Sequence, residues 1–123
     1  MSQALVVALG GALGSLARWR VGLALAAAPG GTPWGTLVVN VAGSLFLGLV
    51  LASWPAERPG LWRLFLGVGV CGGFTTFSTF SAELVQLAAR GHVVRAAGYA
   101  AASLALGVAA VAAGLALGRA MAR

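Results

Sequence analysis

Long apolar stretches make up most of this chain, and short polar segments separate them. Charged residues are absent from residues 1–17, 21–56, 64–82 and 96–118. A helix needs about 20 mostly apolar residues to cross the hydrocarbon core of a bilayer. The second stretch is broken by PGGTP at residues 29–33, which is a strong turn signal. The pattern therefore predicts four transmembrane helices, near residues 3–27, 33–53, 61–90 and 93–119.

Glycine and tryptophan positions support four packed helices. Glycines four residues apart let membrane helices approach closely, and three predicted helices contain such a pair. The pairs are Gly10 and Gly14, Gly69 and Gly73, and Gly114 and Gly118. Tryptophan prefers the headgroup zone, and all four tryptophans lie near predicted helix ends. They are Trp19, Trp34, Trp54 and Trp62. We therefore expect one all-α integral-membrane domain over residues 1–123.

The composition excludes a water-soluble protein. Hydrophobic residues make up 60% of the 123 residues, charged residues make up 8%, and the mean hydropathy is +0.97. A soluble domain carries about 25% charged residues, so this chain cannot cover a surface that faces water. The single cysteine, Cys71, excludes an intramolecular disulfide. One histidine and two acidic residues are too few for a metal cluster built from side chains.

The distribution of arginines bears on both partners and orientation. Eight basic and two acidic residues give a net charge of +6, but the arginines stand singly along apolar segments. They favour membrane lipid as a partner and argue against nucleic acid. With a cytoplasmic N-terminus, four arginines would fall on each side, so the usual bias that fixes orientation is missing. Such a chain could insert both ways and form an antiparallel two-fold homodimer. The two sets are Arg58, Arg63, Arg119 and Arg123 inside, and Arg18, Arg20, Arg90 and Arg95 outside.

Two predicted helices carry small or polar residues at four-residue spacing, which places them along one face of each helix. They are Thr36, Asn40 and Ser44 in the second helix, and Tyr99, Ser103 and Gly107 in the fourth. Polar groups are costly inside hydrocarbon unless they have partners, so they are candidates for function. Each set has two interpretations: hydrogen bonds that clamp neighbouring helices together, or a polar path for a solute.

The third predicted helix contains the least lipid-like stretch, GVCGGFTTFSTFSAE at residues 69–83. Gly72 and Gly73 can let the backbone leave helical geometry, which a membrane tolerates only where the freed groups are buried or face water. Freed carbonyls of this kind bind small cations, and the amides of a helix start favour anions. Phe77 and Phe80 share a face, where they are either core residues or ring edges that attract an anion weakly.

Two of the charged residues within the predicted spans, Glu83 and Arg18, are candidates for a functional role. Glu83 is expected near the end of the third helix, where it pairs with an arginine or lies at the membrane interface. Arg18 lies one or two turns from the end of the first helix. Its side chain either extends to the headgroups or lines an aqueous mouth and concentrates anions there.

Three segments resemble the Fluc, or CrcB-type, fluoride channel family. They are GGALGSLARW at residues 10–19, GTLVVNVAGSLFLG at 35–48 and the stretch at 69–83, in the family's order. The resemblance covers nearly the whole chain. It implies four transmembrane helices per subunit, a break in the third helix and an antiparallel, dual-topology homodimer. It also implies a passive, fluoride-selective channel in the cell (inner) membrane that exports cytoplasmic fluoride and protects against its toxicity.

The resemblance further implies roles for individual residues. The main-chain carbonyls of Gly72 and Thr75 would hold a structural sodium ion at the dimer interface. Gly107 stands where the family often has another hydroxyl. The residues implied in the fluoride pathway are Asn40, Phe77, Phe80, Thr36, Ser78, Thr79, Tyr99, Ser103 and, at an entrance vestibule, Arg18.

A small multidrug-type proton-coupled antiporter is the main alternative, since it is also a dual-topology dimer of four-helix subunits. Its chemistry needs a membrane-embedded carboxylate, and the first and second predicted helices contain none. A structural membrane protein, in which the polar stripes are packing clamps, is a second alternative. An enzyme is the least expected class, because a nucleophile, a base and an orienting acid are not available together.

Overall fold

The computed structural model describes residues 2–27, 31–53 and 60–121. The sequence predictions that fall outside these residues concern Trp54, Arg58, Arg123 and parts of the loops at 29–33 and 54–60. Four helical segments in the described part are long and apolar enough to cross a membrane, as predicted. They are Gln3–Ala24, Trp34–Ser53, Leu61–Ala89 and Val93–Met121.

Five helices build these four spans, because the third span is interrupted. The other three spans are single helices, α1 (Gln3–Ala24), α2 (Trp34–Ser53) and α5 (Val93–Met121). The third span consists of α3 (residues 61–74) and α4 (Phe77–Ala89). A tight turn at Gly91, whose φ of 82° suits glycine, joins α4 to α5.

The helix α3 is irregular along most of its length. Its middle part, Leu64–Cys71, is wound as a π-helix between the short α-helical parts Leu61–Arg63 and Gly72–Phe74. A π-helix bonds each amide to the carbonyl five residues earlier, and such stretches are frequent at functional sites. The hydrophobic pattern gave no indication of this winding, since the apolar residues continue through it without a change of period.

Glycines bring α1 and α3 into direct backbone contact. A Cβ atom on Gly69 would lie 2.9 Å from the Gly10 Cα, closer than real Cβ contacts allow. A Cβ atom on Gly14 would lie 2.8 Å from the amide nitrogen of Phe74, and one on Gly73 would overlap the Gly11 carbonyl oxygen. The predicted close approach at the glycine pairs of the first and third spans is therefore confirmed.

The same kind of contact joins α2 to α5. A Cβ atom on Gly114 would overlap the Leu45 carbonyl oxygen, and one on Gly48 would lie 2.9 Å from the Gly114 Cα. One turn further along α5, Gly118 faces Ala52. The third predicted glycine pair thus also lies at a close helix crossing. Side chains from α2, α4 and α5 form the core next to this crossing, namely Leu37, Phe80, Leu87, Ala96 and Tyr99.

The interruption of the third span lies later in the chain than the glycines suggested. Gly72 and Gly73 are helical, and the backbone becomes extended at Thr75 (ψ 157°) and Thr76 (φ −151°, ψ 115°). The prediction that the glycine pair itself leaves helical geometry was therefore wrong. Gly73 is needed for contact with α1, whereas hydrogen bonds from side chains hold the break open.

Candidate functional site

Asn40 of α2 holds both main-chain polar groups of Thr76 at the break. The Thr76 amide donates to Asn40 Oδ1 at 2.8 Å, and Asn40 Nδ2 donates to the Thr76 carbonyl at 3.1 Å. A side-chain amide offers one acceptor and two donors. The Asn40 amide can therefore bond both the N–H and the C=O of Thr76, as the backbone of a neighbouring strand would. Asn40 therefore acts as a clamp between helices, and one N–H of its amide is left over for other ligands.

Carbonyls that precede the break lose the amides that would bond them in a continuous helix, and those of Gly72 and Thr75 are among them. The amide of Thr76 would bond the Gly72 carbonyl, but it donates to Asn40. The amide of Thr79 would bond the Thr75 carbonyl, but it donates to the Thr76 hydroxyl at 3.2 Å. These are the two carbonyls that the resemblance assigns to sodium. Main-chain oxygens at such a break are suitable ligands for a small cation, so the residues present fit that ion.

Glu83 is half-buried at the meeting point of three helices, α2, α4 and α5. Thr36 Oγ1 of α2 donates to one carboxylate oxygen at 2.7 Å, and the Tyr99 hydroxyl of α5 donates to the other at 2.8 Å. An arginine was the expected partner, whereas the hydrogen bonds to Glu83 come from these two hydroxyls. The helix restarts at Phe77, and Glu83 is in the second turn of α4, six residues before its last residue, Ala89.

A cavity of about 420 Å³ opens beside this cluster. Glu83 and Thr36 line it together with Arg18, Thr76 and Thr79. Arg18 is half-buried, and its Nε donates to the Gly73 carbonyl at 3.0 Å. Of the two interpretations of Arg18, the structure therefore favours the one in which it lines a mouth. Its positive charge shares this cavity with the hydroxyls and the carboxylate, and apolar residues of α1 and α2 make up most of the remaining wall.

Phe77 and Phe80 are in contact, but their surroundings differ. Their ring centroids are 5.7 Å apart, with planes inclined by 45°. Phe80 is only 7% exposed and also contacts the Tyr99 ring at 5.3 Å, whereas Phe77 is 77% exposed. Phe80 is thus part of the core, and Phe77 is presented on the outer surface of the subunit.

The hydroxyls that follow the break belong to the start of α4. Thr76 Oγ1 donates to Thr79 Oγ1 at 3.0 Å and lies 3.3 Å from Ser78 Oγ. Thr76 is the N-cap residue, which is a role that suits threonine. Ser78 and Thr79 are both exposed on the isolated subunit, so their remaining hydrogen-bonding capacity faces outward. Thr79 lines the cavity beside Glu83, and Phe77, two residues earlier, does not.

The polar face of α5 runs inward from the carboxylate cluster. Tyr99 is buried and bonds Glu83, and Ser103 follows one turn later. Ser103 Oγ is buried. Gly107 follows after one further turn and faces Ser44 of α2. The two polar faces predicted on the second and fourth spans therefore meet.

The hydrophobic pattern could have revealed the position of Glu83. Phe80, Glu83, Leu84 and Leu87 have the spacing of one helix face, and Phe80 and Leu87 are buried. A carboxylate on that face has to point inward and find donors. This signal becomes visible only when α4 is treated as a separate helix that begins after the break.

Comparison with known proteins gives the family. Residues 5–115 match a family described as CrcB-like protein, Camphor Resistance (CrcB). A relative named fluoride-specific ion channel FluC, from Caulobacter sp. (strain K31), is 48% identical over 97% of this chain and 96% of its own length. Relatives of the same name from Methylobacterium nodulans and Agrobacterium fabrum are 49% and 50% identical. These matches cover 95% and 93% of this chain, and 96% and 94% of the two relatives. The chain therefore belongs to the CrcB family.

Proposed function

We propose that this chain is a passive, fluoride-selective ion channel in the cell (inner) membrane. The observation that carries the proposal is the pair of hydroxyl donors that meet at Glu83 beside the cavity, in a chain about half identical to proteins named fluoride-specific channels. Fluoride holds its water strongly, so a path must offer hydrogen-bond donors in place of that water. Hydroxyls and amides do this without a fixed positive charge that would trap the ion.

The hydroxyls around Glu83 supply a site for an anion in passage. The O–H groups of Thr36 and Tyr99 converge on the two oxygens of the carboxylate, so their positions are already set for a negatively charged acceptor. An anion that enters from the mouth beside Arg18 competes with the carboxylate for these two donors. Such competition keeps binding weak enough for release, which conduction requires.

The working unit is a homodimer. Gly72, Ser78 and Thr79 are exposed within a membrane span, as is Phe77. Lipid offers no hydrogen-bond partners, so polar groups at this depth need protein or water against them. A second copy of the same chain in the opposite orientation supplies that cover around a two-fold axis. The balanced distribution of arginines is consistent with such insertion.

A structural sodium ion fits the centre of this dimer. The carbonyl oxygens of Gly72 and Thr75 from each subunit would hold it, since both have lost their helical donors. When bound, the ion supplies positive charge that neutralises carbonyl dipoles meeting at the interface. The residues of the chain itself maintain the break, with Asn40 bonding the backbone and Thr76 capping the next helix.

The channel exports fluoride and protects the cell against it. Hydrogen fluoride is a weak acid that crosses membranes and releases fluoride in a more neutral cytoplasm. A membrane potential that is negative inside then drives the anion outward through a passive path. No coupling ion is required for this direction of flow.

Fluoride efflux from liposomes tests the proposal. The purified dimer is reconstituted in liposomes loaded with potassium fluoride, and a fluoride electrode follows release after a potassium ionophore is added. We expect rapid efflux that chloride does not match. The proposal would be overturned if efflux were no faster than from protein-free liposomes loaded with the same salt, while size-exclusion chromatography confirms a folded dimer. Proton flux driven by a cationic drug would instead identify an antiporter that uses Glu83.

A further inference from the structure

Arg18 of α1 bonds the backbone just before the break, whereas Asn40 of α2 bonds it at Thr76. The Nε atom of Arg18 donates to the Gly73 carbonyl at 3.0 Å. Ser15 Oγ lies 3.5 Å from the same oxygen, which is too long for a strong hydrogen bond. Of these two donors from α1, Arg18 is therefore the one that holds the carbonyl.

The Gly73 carbonyl needs a donor from outside its own helix. A helix leaves its last four carbonyls without amide partners, and α3 ends at Phe74. In a continuous helix the amide of Phe77 would bond the Gly73 oxygen, but the backbone is extended at Thr75 and Thr76. An arginine suits this place, because basic side chains bond terminal carbonyls and their charge offsets the dipole at the end of a helix.

Two consecutive glycines make this helix end easy to unwind. Gly72 and Gly73 are helical, but glycine loses more conformational freedom on folding than any other residue. Within the described residues, a Cβ atom built on Gly72 would meet nothing within 4 Å, so no packing holds that position. Gly73, in contrast, is packed against Gly11 of α1 and bonded by Arg18. The contact with α1 therefore restrains the end of α3, including the peptide that carries the Gly72 carbonyl.

We propose that Arg18 is a positioning residue that clamps the end of α3 through the Gly73 carbonyl, as Asn40 clamps Thr76. This gives Arg18 a second task besides bringing a positive charge to the cavity of about 420 Å³. The clamp depends on the donor at Nε, whereas the effect on the cavity depends on the charge. The consequence for fluoride efflux rests on the proposed channel function, but the clamp itself can be measured without any flux.

Arg18→Gln and Arg18→Lys separate the donor from the charge. The amide nitrogen of glutamine is as many bonds from the backbone as Nε of arginine, so it can donate to the Gly73 oxygen without a charge. Lysine keeps the charge but has a methylene group at that position, and Arg18→Met removes both. Arg20→Gln is the matched control. It removes the same charge from the same helix, at a residue that packs on Trp19 and does not line the cavity.

The native Cys71 reports whether the end of α3 stays closed. Its side chain is 3% exposed, and its carbonyl accepts from the Thr75 amide at 2.9 Å. In the purified full chain, we expect N-ethylmaleimide to modify Cys71 about tenfold faster in Arg18→Met and Arg18→Lys. This is the effect on local opening of losing a hydrogen bond that involves a charged group. Arg18→Gln and Arg20→Gln should react at the wild-type rate, and Arg18→Gln should retain more fluoride efflux than Arg18→Lys.

The modification rate of Cys71 decides the clamp. An unchanged rate in Arg18→Met would overturn it. Equal rates in Arg18→Gln and Arg18→Lys would also overturn it, because a donor at the Nε position would then not be what holds the helix end. Greater efflux in Arg18→Lys than in Arg18→Gln would overturn its part in conduction, since the charge would then be what matters. An inactive wild-type protein would overturn the channel function, whereas the rates at Cys71 would still test the clamp.

Discussion

Asn40 forms two hydrogen bonds with the backbone of Thr76, one through each end of its side-chain amide. Asn40 is on α2, and Thr76 is in the interruption between α3 and α4. This pairing keeps the third span interrupted there. An isosteric carboxylate can accept from the Thr76 amide but cannot donate to the Thr76 carbonyl. The pair therefore links the conformation of the backbone break to the chemical identity of one side chain on α2.

Replacing Asn40 with aspartate should disable the channel. The carbonyl of Thr76 would lose its donor and face a carboxylate oxygen, and the new negative charge would repel an anion. We expect fluoride efflux to be abolished and the unfolding temperature to fall, since an unsatisfied buried carbonyl costs about 1–3 kcal/mol. Efflux measurements and thermal unfolding in detergent check this. Undiminished efflux would show that no anion passes near residue 40.

Tyr99 and Glu83 should be energetically coupled. Tyr99→Phe removes one donor to the carboxylate, and Glu83→Gln removes the charge that the donors meet. Hydrogen bonds to charged groups contribute about 1.5–3 kcal/mol, so the two changes together should cost less than the sum of the single changes. A double-mutant cycle on unfolding free energy measures this. Strictly additive changes in unfolding free energy would contradict the hydrogen bond between Tyr99 and Glu83, whether or not fluoride efflux changes.

Phe77→Ile separates conduction from folding better than a change at Phe80. Phe77 is exposed on the subunit, so its loss leaves the core of one chain intact, whereas Phe80 packs on Tyr99 inside that core. We expect Phe77→Ile to lower fluoride efflux sharply with little change in helicity, and Phe80→Ile to lower both efflux and stability. Circular dichroism and the liposome assay distinguish the two. Normal efflux in both variants would remove the aromatic role.

Gly114→Ala should destabilise the subunit. Its methyl group would overlap the Leu45 carbonyl oxygen and lie 3.0 Å from the Gly48 Cα, which forces α2 and α5 apart. Overpacking of this kind costs about 1–3 kcal/mol, so the unfolding temperature should fall and aggregation should rise. Thermal unfolding of Gly98→Ala, at an open position of the same helix, provides the comparison. Equal stability of the two variants would show that the helix crossing is looser than described.

Insertion in both directions can be tested with a cysteine at position 2. Ser2 is exposed at the start of α1, and the native Cys71 is buried at 3% exposure and should not react. In intact cells, we expect a membrane-impermeant thiol reagent to label about half of the Ser2→Cys protein, because opposed copies are equal in number. The remainder should react after the membrane is opened. Complete labelling, or none, in intact cells would exclude the antiparallel dimer.

Sequence patterns gave the spans and the family, but not the centre of the site. The four spans follow from long apolar runs, and the glycines and hydroxyls of the third run led us to expect an interruption there. The position of the interruption could not be predicted, because it depends on the hydrogen bond between Thr76 and Asn40 of α2. No local sequence pattern reveals that contact. The donors to Glu83 were not predicted for a similar reason, since Thr36 and Tyr99 are on two other helices. The π-helical winding of Leu64–Cys71 has no periodic signal in a run that is apolar on every face.

The bare carbonyls at the break have a consequence for assembly. In a continuous helix the Gly72 oxygen would be bonded by the amide that Asn40 removes, so this oxygen becomes free only after α2 has docked against the third span. A subunit whose second helix has not yet packed presents no such oxygen. Pairing through these carbonyls would therefore select partners that have finished folding, and an incomplete subunit would be left unpaired.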